Sequence, residues 1–156
     1  MNTSQVKAEK KCIVIIPAYE PDLKLISLLQ EIKSTTDYHV IVINDGSSVI
    51  ALPIFAQAGE YAHVLNHASN MGKGIAIKTA LAYIRETIKE DCVILTVDAD
   101  GQHTVSDAVK VCEKAMRERA SLVIGSRRFS GKVPLRSRFG NSVTRFVYRL
   151  VTGAKV

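Results

Sequence analysis

The sequence predicts an α/β fold: a mostly parallel sheet with helices on both faces. Two observations carry this. Short apolar runs rich in β-branched residues alternate with stretches of helical periodicity from Lys11 to Gly125. The unusual polar residues cluster where those runs end, at the edge where parallel sheets present ligand-binding loops. A chain of 156 residues with 47% apolar content is one domain by length and has material for a real core.

Lys11 to Pro17 reads as the first strand. Asp22 to Ser34 reads as a helix, with Leu25, Leu28, Leu29 and Ile32 on one face. His39 to Asn44 is the second strand, carrying the run Val40-Ile41-Val42-Ile43. Leu52 to Ala58 is a short helix that tolerates Pro53 in its first turn. Ala62 to Asn66 is a weaker third strand. Gly74 to Lys89 is a helix whose inward face is expected to hold Ile77, Leu81, Ile84 and Ile88. Cys92 to Val97 reads as a buried fourth strand. Thr104 to Arg119 is a helix with Val105, Ala108, Val109, Cys112, Ala115 and Met116 inward, and Leu122 to Gly125 is a fifth strand. There is no internal repeat and no low-complexity tract. The expected organisation is a flexible tail over 1–10, a ligand-binding domain over 11–133 and a basic amphipathic helix over 134–156.

The most informative stretch is Val97-Asp98-Ala99-Asp100-Gly101-Gln102-His103. Two carboxylates two residues apart on an extended backbone would project to one side. Like charges held that close repel unless a cation or proton sits between them, and hard oxygen ligands suit Mg2+ or Mn2+ with a diphosphate completing the shell. By itself Asp-x-Asp is equally a turn with a capping residue. Its companions on the same edge are Pro17-Ala18-Tyr19-Glu20, Asn44-Asp45-Gly46-Ser47-Ser48, Gly125-Ser126-Arg127 and the Gly-punctuated turn Asn70-Met71-Gly72-Lys73-Gly74. The backbone amides of that turn and Lys73 suit a phosphate. Five loops of this chemistry on one edge favour a shared nucleoside-diphosphate site.

Several classes are excluded. The Gly-x-x-x-x-Gly-Lys-Ser/Thr phosphate loop is missing, as are the Gly-x-Gly-x-x-Gly dinucleotide turn and the Gly-x-Ser-x-Gly elbow. A nucleotidyltransferase is disfavoured by the lack of a Gly-rich activation loop near the first strand. No apolar stretch approaches the ~20 residues of a membrane span. Cys12, Cys92 and Cys112 have no metal-ligand spacing and are expected to be reduced, buried and structural, in keeping with a cytoplasmic setting. His103 is expected to orient its loop, and His39, His63 and His67 have no assignable partner.

The net charge of +6 is uneven. Residues 127–156 carry eight Lys/Arg and no acid, whereas 1–126 carry thirteen Lys/Arg against fifteen acids. The basic excess belongs to the C-terminal segment, so no nucleic-acid footprint over the whole domain is expected. In 134–152, Arg138, Ser142, Arg145 and Arg149 fall within a stripe of about 60° on a helix. Phe139, Val143, Phe146, Val147 and Leu150 occupy the neighbouring arc. Such a helix either packs on the sheet or lies at an anionic membrane surface, offering arginines to a lipid phosphate.

The set Ile16-Pro17-Ala18-Tyr19-Glu20, Asn44-Asp45-Gly46-Ser47, Asn70-x-Gly72-Lys73-Gly74, Asp98-Ala99-Asp100-Gly101-Gln102-His103 and Gly125-Ser126-Arg127 resembles the family-2 glycosyltransferases of GT-A fold. Within them it is most similar to polyprenyl-phosphate sugar transferases of the dolichyl-phosphate mannose synthase type. The resemblance implies a Rossmann-like nucleotide-sugar-binding fold and a metal-dependent, inverting transfer of a sugar from a nucleotide-diphosphate sugar to a polyprenyl phosphate. It implies that Pro17, Ala18, Tyr19 and Glu20 line the base and ribose, that Asp45 hydrogen-bonds the base and that Lys73 meets the donor. Asp98 would approach the ribose-diphosphate side and the metal, with Asp100 and Gln102 completing the metal shell. Asp100 and Arg127 would be the catalytic groups, and Arg127, Arg138 and Ser142 would bind the acceptor phosphate. A lipid-phosphate acceptor implies a cytoplasmic protein, peripheral at the inner face of the membrane and serving cell-envelope biogenesis. Two departures stand out: Asn44 replaces the first acid of the family's Asp-Asp-Gly-Ser, and Val49 stands where an Asp often follows. Domains of this family usually continue further, which implies additional acceptor-side chain. The alternatives are transfer to a sugar hydroxyl in polysaccharide or cell-surface glycan synthesis, and a non-catalytic nucleotide-sugar-binding fragment.

Overall fold

The computed structural model describes residues 11–101, 104–118, 123 and 125. Their elements are β1 (Lys11–Ala18), α1 (Lys24–Thr35), β2 (His39–Asn44), α2 (Leu52–Ala58), β3 (His63–Asn66), α3 (Lys73–Thr87), β4 (Cys92–Thr96) and α4 (Val105–Arg117), with a 3₁₀ turn at Val49–Ala51 leading into α2. Of the expected fifth strand, Leu122 and Ile124 lie outside the described residues and Val123 and Gly125 carry no strand assignment; the expected tail over 1–10 and the basic helix over 134–156 also lie outside the described residues.

The strand order is β3-β2-β1-β4, with every pair parallel. The chain moves outward from β1 through β2 to β3, then crosses back to place β4 on the other side of β1. That reversal is the switch point of a doubly wound sheet, and in such sheets ligands bind beyond the carboxyl ends of the strands at that point. The register aligns those ends: Ala18 faces Asn44, and Asn44 faces Asn66. The Val97 amide continues the ladder to the Ile15 carbonyl at 3.0 Å.

Strand alternation divides the core. Val14, Ile16, Ala18, Val40 and Val42 pack against Leu25, Leu28, Leu29 and Ile32 of α1, Phe55 and Ala58 of α2 and Val105 of α4. Ile13, Ile15, Ile41 and Ile43 pack against Ala76, Ala80 and Ile84 of α3. Helices therefore cover both faces, as the sequence predicts. The buried stripe of α3 is built on alanines, which let the helix lie close on four isoleucines. Leu81, expected inward, is 39% exposed.

β4 also differs from its sequence reading. Among the described residues it pairs only with β1, and Ile94 is 39% exposed, so it is not buried along its length. The cysteines are a further correction. Cys12 of β1 and Cys112 of α4 are paired as a disulfide across 100 residues of sequence, their Cα atoms 7.0 Å apart, and Cys92 alone is a free thiol. Their spacing gave no hint of this, because only the return of α4 over β1 brings the two sulfurs together.

Candidate functional site

The loop after β2 anchors the C-terminal edge. Asp45 is 3% exposed, and its carboxylate turns inward. Oδ1 accepts the Met71 amide at 3.0 Å, and Oδ2 accepts the Gly72 amide at 2.8 Å. Nδ1 of His67 lies 2.7 Å from Oδ1. Burial opposes the charge on Asp45, but these donors outweigh it and hold the carboxyl below its ordinary value of 3.8. The family resemblance implies that Asp45 hydrogen-bonds a base. In the structure it clasps the phosphate-loop candidate Asn70–Gly74, with three of its roughly four acceptor positions taken.

Gly46, the next residue, has φ +70, and a Cβ there would lie 2.1 Å from the Ser69 carbonyl carbon. Only glycine allows the two loops to touch this closely. Asn44 is buried beside them; its Nδ2 donates to Asn66 at 3.0 Å, and its Oδ1 accepts the Ser47 amide at 2.9 Å. The amide side chain supplies a donor that an Asp would lack, which gives a physical reason for the departure from Asp-Asp-Gly-Ser.

The loop after β1 is stapled to the same structure. Glu20, with φ 47, is the one non-glycine residue of positive φ among the described residues. Its amide donates to Ser47 Oγ at 2.9 Å, and its carboxylate accepts the Ser48 amide at 2.5 Å and the Ser48 hydroxyl at 3.0 Å. Tyr19 beside it is 55% exposed, while Ala18 is buried at the strand end and Pro17 is half-buried.

Across the switch point, β4 ends at Thr96, so Asp98 follows the strand and Asp100 lies in a turn. The projection of both carboxylates from one extended strand therefore does not hold. Gly101, at φ +72, closes the turn beside α1: a Cβ there would lie 3.7 Å from the Lys24 side chain. Asp98 Oδ1 meets Lys73 Nζ at 2.5 Å, joining the start of α3 to the end of β4. Both groups are substantially exposed, with side-chain accessibilities of 59% for Lys73 and 41% for Asp98. Ala99 packs against the core between the two acids.

No cluster of three or more His, Cys, Asp or Glu side chains is gathered among the described residues. That arrangement still fits Mg2+ or Mn2+. Mg2+ is commonly held by one or two carboxylates plus substrate phosphates, not by an all-protein cage. Gln102, His103, Arg127, Arg138 and Ser142 lie outside the described residues.

The structure thus brings Tyr19, Glu20, Asp45, Lys73, Asp98 and Asp100 to one edge. Sequence reasoning missed His67. Its side chain is 8% exposed, and Nε2 lies 2.9 Å from Thr79 Oγ1 of α3. A signal was present: if the second and third strands pair in parallel with Asn44 opposite Asn66, the next residues, Asp45 and His67, emerge side by side.

Comparisons with known proteins bear on the family and the fold. The sequence matches Glycosyl transferase family 2 over residues 13–152. An uncharacterized protein of Methanocaldococcus jannaschii is 30% identical over 90% of this chain and 58% of its own length. The UDP-N-acetylglucosamine–dolichyl-phosphate N-acetylglucosaminyltransferase of Methanococcus voltae is 26% identical over 94% of this chain and 65% of its own. A dolichyl-phosphate beta-glucosyltransferase of Trichomonas vaginalis is 30% identical over 73% of this chain and 39% of its own. The chain therefore spans less than two thirds of the length of these relatives. The crystal structure of S. aureus TarS superposes on 79% of this chain and 24% of its own, with TM-score 0.50 and 21% identity, a likeness of fold. With its doubly wound sheet, its ordered loops on one edge and a family match over nearly all its length, the chain belongs to glycosyl transferase family 2.

Proposed function

We propose that this chain transfers a sugar from a nucleoside-diphosphate sugar to a polyprenyl phosphate with inversion at the anomeric carbon. The observation that carries the donor site is the Lys73–Asp98 pair spanning the switch point, with the loops after β1 and β2 on the same edge. The acceptor class is supported by the printed activities of the M. voltae and T. vaginalis relatives.

In this reading Pro17, Ala18, Tyr19 and Glu20 line the base and ribose, and Asp45 acts from behind the loop that receives the diphosphate. Lys73 exchanges Asp98 for a phosphate oxygen, which leaves Asp98 and Asp100 to hold Mg2+ or Mn2+ together with Gln102. When bound, the ion neutralises charge on the departing diphosphate. Lys73 supplies positive charge to the same oxygens as the bond from the anomeric carbon to the diphosphate breaks. The acceptor phosphate oxygen forms the new bond from the opposite side. It is already ionised near neutral pH and needs no general base, so Arg127, Arg138 and Ser142 serve it by positioning. Among the described residues no helix is long and apolar enough to cross a membrane. A basic segment over 127–156 would hold the protein at an anionic membrane surface, peripheral on the cytoplasmic side, with no nucleic-acid partner.

The test is sugar transfer from UDP- and GDP-sugars to polyprenyl phosphate in vesicles containing Mn2+. Labelled lipid product that disappears with chelator is the expected result. Transfer to a free sugar hydroxyl but not to lipid phosphate would overturn the acceptor assignment. Absence of any nucleoside-diphosphate binding would overturn the donor site.

A further inference from the structure

We infer that His67 is a positioning residue for the donor: it holds Asp45 in the orientation that fixes the Met71 and Gly72 amides, and through them the loop that presents Lys73. This rests on the donor-site reading above. His67 sits where three elements meet. Its backbone amide donates to the Asn44 carbonyl at 2.9 Å, extending the β2–β3 ladder by one residue. Its ring spans from Asp45 Oδ1 at 2.7 Å to Thr79 Oγ1 at 2.9 Å, one turn and a half into α3.

The chemistry assigns the protons. Asp45 is ionised and can only accept, so Nδ1 must donate. Nε2 then accepts from the Thr79 hydroxyl or, with the ring protonated, donates to it; both states keep the chain of contacts intact. The Asp45 carboxylate thereby has His67 on one side and the Met71 and Gly72 amides on the other. Removing the ring releases Oδ1 from its side-chain tether, and the carboxylate is free to rotate away from the two amides. Gly72 is the residue from which α3 starts, with Lys73 as the first residue of the helix. A small displacement there moves the Lys73 ammonium relative to Asp98.

The substitutions separate these contacts. In His67→Asn, the side-chain amide nitrogen stands where Nδ1 stood and still donates to Asp45, while the Thr79 contact is lost. His67→Leu removes both. The readouts are UDP and GDP affinity by calorimetry with Mn2+ and amide exchange at Met71 and Gly72 by NMR. His67→Leu is expected to weaken nucleoside-diphosphate binding and to speed exchange at Met71 and Gly72, each about tenfold, the loss of one charge-assisted hydrogen bond. Exchange at Ile13 and Ile41 should stay slow. His67→Asn should restore both properties to within about threefold of wild type. Wild-type exchange at Met71 and Gly72 in a folded His67→Leu protein would overturn the inference, as would failure of His67→Asn to restore it. If His67→Leu does not fold, His67→Asn decides alone: exchange at Met71 and Gly72 within about threefold of wild type supports the inference, and exchange about tenfold faster overturns it. A wild-type protein that binds neither nucleotide overturns the donor site, while the exchange measurement still decides the positioning role.

Discussion

Asp45 shows how a charged residue can be both buried and stabilising. Its carboxyl is held below its ordinary value of 3.8, because the folded state offers two amides and an imidazole to the ionised form. The sign of the pH dependence follows. Above 3.8 the carboxylate is ionised in folded and unfolded chains alike, and its full contribution is present. As pH falls through the lower folded value, the unfolded chain has already taken up the proton, and the contribution disappears. Wild type is therefore expected to lose stability on acidification more steeply than Asp45→Asn, measured as urea midpoints across the acid range. Asp45→Ala leaves three donors without their acceptor and is expected to cost about 3 kcal/mol of unfolding free energy at neutral pH. The exposed pair Lys73–Asp98 behaves differently. Solvent screening limits it to about 0–1 kcal/mol, so Lys73→Met should leave the thermal midpoint almost unchanged. The same substitution should weaken nucleoside-diphosphate binding by about tenfold or more, which separates ligand chemistry from stability in one variant.

Among the elements, the loops do the most specific work and tolerate the least change. The loop after β2 touches the loop after β3 at Gly46, where a Cβ would fall 2.1 Å from backbone. Gly46→Ala must break that contact and also hold alanine at positive φ. A loss of about 3 kcal/mol or more is expected by chemical denaturation, with α3 and the loop over 70–74 as the first region to lose amide protection. By contrast, the turn at Gly101 approaches only the Lys24 side chain at 3.7 Å, an ordinary contact. The penalty at Gly101 is then the positive φ alone, about 1–2 kcal/mol, so Gly101→Ala should be milder than Gly46→Ala in the same measurement. The 3₁₀ turn at Val49–Ala51 exposes Val49 and Ile50 at 77% and 83%, beside Ser48 that clasps Glu20.

For the whole molecule the decisive feature is the separation of charge. The acids all lie in 1–126, and 127–156 holds eight Lys/Arg. Near an anionic bilayer each cation contributes up to ~1 kcal/mol, and salt screens it within a Debye length of about 8–10 Å. Co-sedimentation with phosphatidylserine vesicles is expected at low salt and lost at high salt, with little binding to neutral vesicles. Replacing Arg138, Arg145 and Arg149 together with Gln should remove most of it while circular dichroism stays unchanged. A chain that ignores anionic vesicles at low salt would move the hydroxyl acceptor ahead of the lipid phosphate.

Periodicity made the elements legible. β2 and α2 begin and end where their patterns do, and Thr104 caps α4 by accepting the Asp107 amide at 3.2 Å. The edge that carries the site was legible too, because a parallel sheet sends every strand's polar terminus the same way. What alternation and spacing could not supply were contacts between residues far apart in the chain. His67 reads as a strand-end histidine until β2 and β3 are registered, and nothing local to Asp45 announces that its carboxylate accepts the Met71 and Gly72 amides. Leu81 satisfies a helical stripe, yet α3 settles on its alanines because close approach to Ile13, Ile15, Ile41 and Ile43 buries more of the sheet. Cys12 and Cys112 meet only because α4 returns across β1. Local sequence encodes local conformation and the direction of each strand; which polar groups satisfy one another depends on how the crossovers bring distant loops together.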